Sequence, residues 1–301
     1  MEQFSNTQPT PDSRKKPERI QTSTEKLRGY LLAEQIKLGK DFAERQVGTP
    51  EGEQLKVASD FRLIPPPDLY GQEEKDLEKK GLEIVFGTSD KEKLKSAEDN
   101  SSGTRFEMLK TAIMHKHMGK RFIVVRSSRY DDSANGVDNI IVDKKNGETI
   151  CAFDEVNTSF KEKEILEKAN WVISKNIGSD IKASFRQDSL PQEVGEQGVR
   201  LKYGIQITPE GKMKCSEMKH LPIFLLGVDE DHLYEGLRTF VNGEGKSRYE
   251  TELFKFFLKT LSAQIQMLKL KPTQYKTLPE ELTRRVESFD SYIDEALKEL
   301  K

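Results

Sequence analysis

Cysteine is scarce in this chain of 301 residues, which holds only Cys151 and Cys215, both in apolar or strand-like sequence. Two such thiols are typical of buried, reduced cysteines in a cytosolic protein, and they do not suggest a disulfide-stapled fold. Long apolar runs are also missing, so no segment is suited to span a bilayer, and the amino-terminal residues are polar rather than signal-like. The sequence therefore predicts a cytoplasmic protein with no membrane contact.

Several catalytic signatures are absent as well. The chain has no G-x-x-x-x-G-K-[ST] loop and no G-x-G-x-x-G after a predicted strand, which leaves nucleotide binding of those kinds unsupported. No serine or cysteine nucleophile signature occurs. His115 and His117 are two residues apart on a predicted helix and point to different faces, which argues against a zinc pair.

The composition is polar, with 35% hydrophobic and 33% charged residues, and the formal net charge is only −2. The overall charge thus favours neither presence nor absence of a nucleic-acid partner, and any basic binding surface has to be local. Basic residues near the central region could follow a phosphate backbone or belong to an ordinary scattered surface. These residues are Arg121, Arg126, Arg129, Lys144, Lys145, Lys161 and Lys163.

Composition divides the chain into five segments. A polar tail that we expect to be disordered is followed by a helical amino-terminal segment with a second short helix near 50–61, a charged linker, a central core and carboxy-terminal helices. The five segments are residues 1–22, 23–68, 69–103, 104–228 and 229–301. The predicted carboxy-terminal helices, 231–241, 247–269 and 279–300, carry apolar stripes. The last two either pack as an antiparallel pair on the core or form the seam of a homo-oligomer or protein complex.

The core has the order of a helix, three strands, a helix and further strands. The predicted elements are a helix at 105–118, strands at 121–128, 137–143 and 149–156, a helix at 160–176, and strands at 199–207, 212–217 and 221–228. The second and third strands are apolar on both faces, which requires cover on both sides. We therefore predict an α/β (α+β) fold, with a mixed central sheet between helices and with helical extensions at both ends.

The second and third strands are predicted to form a hairpin. Asn146-Gly147 is a strong two-residue turn signal, because a type I′ turn needs a positive φ angle at both central positions. Counting outward from that turn places Ile140 opposite Phe153 and Asp138 opposite Glu155. Directly opposed carboxylates repel each other, and a bound divalent cation is a good reason for such a pair.

The predicted core has an acid at the start of its second strand and an acid at the end of its third. This arrangement resembles that of the PD-(D/E)XK nuclease superfamily. The residues that carry the resemblance are Glu107, Gly136-Val137-Asp138 and Glu155-Val156-Asn157, within residues 104–228. The resemblance implies a restriction-endonuclease-like core that hydrolyses phosphodiester bonds in DNA or RNA. It implies that Asp138 and Glu155 hold Mg²⁺, with Mn²⁺ as a substitute, and that Glu107 helps to position the metal or its water.

One position departs from the family pattern. Asn157 stands where the superfamily usually has a lysine, and an asparagine supplies hydrogen bonds but no positive charge. Lys161 in the next helix is the best replacement, although it also fits an ordinary first-turn lysine. The alternative function is therefore a catalytically inactive member of the fold that binds a protein or a nucleic acid.

Other acids near the site have simpler interpretations. Glu107 also fits a capping box with Thr104, in which its side chain reaches back to the helix start. Asp131 and Asp132 lie in a polar loop and are predicted to face solvent. Alternation along the strand places Asp154 on the opposite face from Glu155, which argues against a shared ion.

Overall fold

Three antiparallel strands and one parallel strand form the centre of the fold. The computed structural model describes residues 17–157, 162–178, 196–270 and 277–300. The helices are α1 Pro17–Arg45, α2 Gln72–Phe86, α3 Lys91–Asn100, α4 Ser102–Met118, α5 Glu162–Ile177, α6 Glu230–Thr239, α7 Arg248–Leu270 and α8 Glu280–Glu299. The strands are β1 Lys56–Val57, β2 Leu63–Ile64, β3 Phe122–Arg126, β4 Asn139–Asp143, β5 Glu148–Asn157, β6 Val199–Ile207, β7 Met213–Leu221 and β8 Ile223–Val228. No helix in these ranges is long and apolar enough to cross a membrane.

The sheet is mixed. β3 pairs with β4 and β4 pairs with β5, both antiparallel, whereas β8 pairs with β5 in parallel. β6 and β7 form an antiparallel pair that joins the sheet where Glu148 of β5 meets Gln206 of β6. The predicted mixed helix-and-sheet fold is confirmed at this level.

The central strands are buried because their side chains are apolar on both faces. All five residues of β3 and all five of β4 are buried. Aromatic side chains tie α8 to the sheet: the rings of Phe122 and Tyr292 lie 4.6 Å apart, and Phe289 packs against Phe153 and Phe224. Burying each such ring contributes about 1.5–3 kcal/mol, so the helical cover stabilises the strands directly.

The carboxy-terminal helices match the predicted ranges closely. The stripe of α7 is buried, and α7 packs against both α8 and β8. α8 in turn packs against β5 and β7. The buried residues of the α7 stripe are Leu253, Phe254, Phe257, Leu258, Leu261, Ile265 and Leu268. α7 and α8 therefore pack on the core, which is the first of the two arrangements considered from the sequence.

The amino-terminal segment differs from the prediction in two places. α1 begins at Pro17, so residues 17–22 are helical, and residues 1–16 of the predicted tail lie outside the described ranges. The predicted helix at 50–61 is wrong. Its polar residues provide no continuous apolar stripe, and the chain instead forms a short 3₁₀ turn at Glu51–Glu53 and the antiparallel strands β1 and β2.

The predicted linker at 69–103 is also wrong, because it contains α2 and α3. Local signals fix both helices: Gly87 ends α2 with φ +65°, and the Asp90 side chain caps α3 by accepting hydrogen bonds from the N–H groups of Glu92 and Lys93. Their charged composition hides them from a search for apolar periodicity. α2 has no buried residue and α3 buries only Leu94.

Candidate functional site

The loop between β4 and β5 is longer than predicted. Asp143 pairs with Glu148, which leaves four residues in the turn, and the N–H of Gly147 donates to the carbonyl of Asp143 at 2.8 Å. A bulge between Ile141 and Val142 then shifts the register, so that Ile140 faces Ala152. The predicted pairing of Ile140 with Phe153 is wrong by one residue. Continuing the observed register along β5 places Asp154, rather than Glu155, opposite Asp138.

A contact with β6 accounts for the different turn. The N–H of Ile207 donates to the carbonyl of Gly147 at 2.7 Å, and Gly147 has φ +73°. A Cβ atom at Gly147 would overlap the carbonyl oxygen of Ile207. The turn is therefore shaped by docking on a strand that lies about sixty residues further along the chain, which the Asn-Gly signal alone cannot encode.

Asp138 lies among other acids at the start of β4. Its side chain is 8% exposed, and Oδ2 accepts a hydrogen bond from the backbone N–H of Glu155 at 2.6 Å. Burial raises the pKa of Asp138 well above its ordinary value, the negative charges of Asp154 and Asp132 raise that pKa further, and Lys168 opposes them. A nearby cation would stabilise the charged form of this carboxylate.

Asp154 is the acid that shares this environment. It is fully buried, and its Oδ1 atom lies 2.7 Å from the Nζ atom of Lys168 on α5. The same ammonium group donates to the backbone carbonyl of Glu155. A lysine on the helix that follows β5 thus reaches the end of that strand and contacts Asp154, whose Oδ1 atom accepts the same backbone N–H of Glu155 as Asp138 does.

Glu155 has a different lysine partner, on α4. Its Oε1 atom is bonded to Nζ of Lys110, and neither side chain is more than 6% exposed. Burial lowers the pKa of Lys110, and the negative charges of Asp138 and Glu107 oppose that effect. The other carboxylate oxygen of Glu155, Oε2, is buried and has no hydrogen-bond partner among the described residues.

Glu107 is held by arginines. Its Oε2 atom is bonded to Nη2 of Arg126, which is buried, and lies 3.5 Å from Nη2 of Arg62. The predicted capping box with Thr104 is wrong, because α4 begins three residues earlier than predicted and Ser101 caps it by accepting from the N–H of Thr104. The carboxylate of Glu107 is thus paired with two arginines, and its negative charge is among those that raise the pKa of Asp138.

The two loop acids differ from each other. Asp131 is fully buried, contrary to the prediction, because its carboxylate accepts hydrogen bonds from Ser128, Asn135 and the backbone N–H groups of Lys202 and Tyr203. The neighbouring acid, Asp132, is partly exposed and is bonded to Arg62 at 3.0 Å.

The remaining predicted residues cannot be placed in the site. The backbone of Asn157 closes β5, but its side chain is outside the described part of the structure, as is all of Lys161. Lys168 and Lys110 were not among the predicted site residues. Lys168 lies seven residues, or two helical turns, after Lys161, and Lys110 lies between Phe106 and Ile113 in the α4 stripe, so both had a periodicity signal.

The described residues contain no group of three or more His, Cys, Asp or Glu side chains that could hold a metal ion by themselves. The arrangement offers instead an acid pair, Asp138 and Asp154, with a lysine beside it. Comparison of the chain with protein-family models, curated proteins and solved structures finds no match among them. The nuclease relationship therefore stays a prediction.

Proposed function

We propose that the protein is a Mg²⁺-dependent phosphodiesterase that cleaves DNA or RNA, with a core of the PD-(D/E)XK type. Asp138 and Asp154 are the metal-binding carboxylates in this proposal, and Lys168 takes the place of the motif lysine. The observation that carries it is that Oδ2 of Asp138 and Oδ1 of Asp154 both accept the backbone N–H of Glu155, at 2.6 and 2.9 Å, while Lys168 pairs with Asp154.

The topology supports the same proposal. α4, β3, β4, β5 and α5 give a helix, three antiparallel strands and a helix, and β8, which lies parallel to the third of these strands, follows after the inserted pair β6 and β7. In this order the acids of β4 and β5 come to one end of neighbouring strands, beside the start of α5. Lys168 then reaches them from the helix, which removes the need for a lysine at Asn157.

The donor set is suited to Mg²⁺. This ion is commonly held by one or two carboxylates and completes its octahedral shell with waters and substrate phosphate oxygens, so a pair of acids is sufficient. When bound, the ion would polarise a phosphoryl oxygen and lower the pKa of an attacking water. In this proposal the Lys168 ammonium, which contacts Asp154, would orient that water and offset negative charge on the phosphate.

Metal binding is tested first. Mg²⁺ or Mn²⁺ should raise the melting temperature of the wild-type protein, and Asp138→Asn and Asp154→Asn should each lose this response. Asp143→Asn is the matched control, because Asp143 is a buried acid at the other end of β4 and should keep the response. If both site variants kept the wild-type response to the metal, the assignment of Asp138 and Asp154 as metal ligands would be contradicted.

Catalysis is tested separately, with single-stranded and duplex DNA and RNA as substrates. Wild type should cut at least one of them in Mg²⁺, and Lys168→Met should reduce the rate by about 10²–10⁴-fold, the range for loss of a positioned proton-transfer or charge-stabilising group. Lys163→Met changes a lysine of the same helix that is 85% exposed, and it should cut like wild type. Cutting that survives Asp138→Asn and Asp154→Asn would contradict the proposal.

A specific observation favours the second candidate, a nuclease-like fold without catalysis. Asp138, Asp154 and Glu155 are at most 8% exposed, and Lys168 and Lys110 already neutralise two of these acids. Such a site can serve as a structural ionic cluster beneath a binding surface. Binding of nucleic acid without metal response or cutting would favour this candidate.

A further inference from the structure

Helices α2 and α3 are attached to the rest of the protein mainly by charged side chains. α2 buries no residue, α3 buries only Leu94, and the apolar side chains of Ile84 and Val85 are 61% and 73% exposed. Residues 72–100 contain nine acidic and six basic residues. A helical pair with so little apolar contact is held by interactions that water and salt can replace.

Three glutamates of this pair bind two cations of the core. Glu98 on α3 forms a two-pronged pair with Arg129, at 2.7 and 3.0 Å, and Glu78 on α2 lies 3.4 Å from the same guanidinium. Glu74 on α2 is bonded to the ammonium of Lys202 on β6. The carboxylates therefore take up the positive charge on this face of the core.

Aromatic rings lie among those cations. Nζ of Lys202 is 5.2 Å from the ring centre of Tyr130 and 5.6 Å from that of Tyr203, and the two rings meet edge to face at 5.8 Å. Tyr70, in the segment before α2, packs edge to face on Tyr203 at 5.6 Å. Cations interleaved with aromatic rings are the combination that binds single-stranded nucleic acid, through phosphate contacts and base stacking.

This surface is joined to the acid site along the chain. Arg129 and Tyr130 directly precede a short helical turn, Asp131–Asn135, and the chain then continues to Asp138. The buried carboxylate of Asp131 accepts the N–H groups of Lys202 and Tyr203, which fixes the turn against β6. The basic and aromatic residues are thus joined through one short segment of the chain to the proposed metal-binding acid Asp138.

We propose that Arg129, Tyr130 and Lys202 form a binding site for single-stranded nucleic acid, and that α2 and α3 cover it in the free protein. Glu74, Glu78 and Glu98 occupy the positions that backbone phosphates take when the strand binds. That the ligand is a nucleic acid rests on the proposed function. The further points are which surface binds it, that it is single-stranded, and that α2 and α3 compete with it for the same cations. Partly exposed ion pairs are individually weak, so a polyanion can displace several of them together.

The test breaks the ion pairs of Arg129 with Glu78 and Glu98, once by changing the glutamates and once by changing the arginine. Glu78→Gln combined with Glu98→Gln frees Arg129 from its carboxylates, whereas Arg129→Gln loosens the helices equally but removes the cation. Binding of a fluorescein-labelled oligothymidylate single strand is followed by fluorescence anisotropy at low salt in EDTA. The glutamate variant should bind about fivefold more tightly than wild type, and Arg129→Gln about fivefold more weakly. Glu235→Gln, which breaks the exposed pair with Arg238 on α6, should bind like wild type.

Affinities that move in the same direction in both variants, or in neither, would overturn the proposal and leave α2 and α3 a purely structural role. Tighter binding of a duplex of equal length would overturn the assignment to a single strand. A second measurement needs no variant: the oligonucleotide should accelerate amide hydrogen exchange in residues 72–100 of wild type, and protection of that segment would contradict displacement. Because EDTA removes divalent ions, failure of the proposed hydrolysis leaves this binding test intact.

Discussion

Lys110 and Glu155 form an ion pair whose two side chains are almost completely buried, between α4 and the end of β5. Removing one partner leaves an uncompensated charge in the interior, which costs about 3–5 kcal/mol of unfolding free energy. We therefore expect Lys110→Met to destabilise the protein by about that amount in denaturant unfolding. Lys110→Met combined with Glu155→Leu should regain most of it, because no lone charge then stays buried.

A matched control lies on α5, where Lys163 is 85% exposed. Lys163→Met should change the unfolding free energy by less than about 0.5 kcal/mol. A Lys110→Met variant as stable as this control would show that Lys110 is not the charge that Glu155 needs.

The turn between β4 and β5 gives the second prediction. Gly147 has φ +73° and faces the carbonyl oxygen of Ile207, whereas Gly48 has φ +87° and open space where a Cβ atom would lie. Gly48→Ala should cost about 1 kcal/mol for the left-handed backbone alone. Gly147→Ala should cost about 2 kcal/mol more, because the backbone of β6 cannot give way without losing its hydrogen bond to the turn. Equal losses in thermal or denaturant unfolding would contradict the proposed docking of the turn.

The turn between β4 and β5 also separates the features of the fold that could be predicted from the sequence from those that could not. The strands were predictable because their apolar runs are bounded by polar turns, and α7 and α8 were predictable from their apolar stripes. The register between β4 and β5 was not predictable, because it depends on a bulge at Ile141 and on the contact of the turn with Ile207. A shift of one residue places Asp154 instead of Glu155 opposite Asp138. α2 and α3 were missed because they bury almost nothing.

The site was only partly predictable for a related reason. Asp138 was found through its predicted pairing with Glu155 and its place in the Gly136-Val137-Asp138 motif, although that pairing is shifted by one residue. Its partners come from other elements: Lys168 from α5, and Lys110 from a stripe in which a lysine is easily taken for a surface residue. Tertiary packing, rather than local spacing, decides which charges meet.

His117 gives a prediction of pH dependence. Its ring stacks on Phe254 at 4.2 Å, and Nε2 is buried with no hydrogen-bond partner in the described ranges. Burial, together with the positive charges of Lys246 and Lys116, lowers the pKa of His117 from 6.5 to about 3. Between these values the unfolded chain binds a proton that the folded protein does not, so stability is full above about pH 6.5 and falls as the pH drops towards 3.

His117→Phe keeps the stacked ring and removes the titration. The unfolding free energy of this variant should therefore depend less on pH between about 6.5 and 3 than that of wild type, with a difference in slope of at most about 1.4 kcal/mol per pH unit. Denaturant unfolding at several pH values measures both slopes. Parallel curves for the two proteins would show that His117 is protonated in the folded state.

The last prediction concerns Asp131, the buried acid that fixes the turn before β4. Each carboxylate oxygen accepts two hydrogen bonds, Oδ1 from Asn135 and the N–H of Lys202, Oδ2 from Ser128 and the N–H of Tyr203. Asp131→Asn replaces one acceptor with a donor that faces other donors, and it should cost about 2–3 kcal/mol of unfolding free energy. Asp132→Asn is the neighbouring control: Asp132 is partly exposed and bonds Arg62, so its loss should cost about 1 kcal/mol or less. Because Asp131 also holds the turn against β6, Asp131→Asn should weaken oligothymidylate binding while Asp132→Asn should not, and the reverse order of effects would show that the turn is positioned by Arg62 instead.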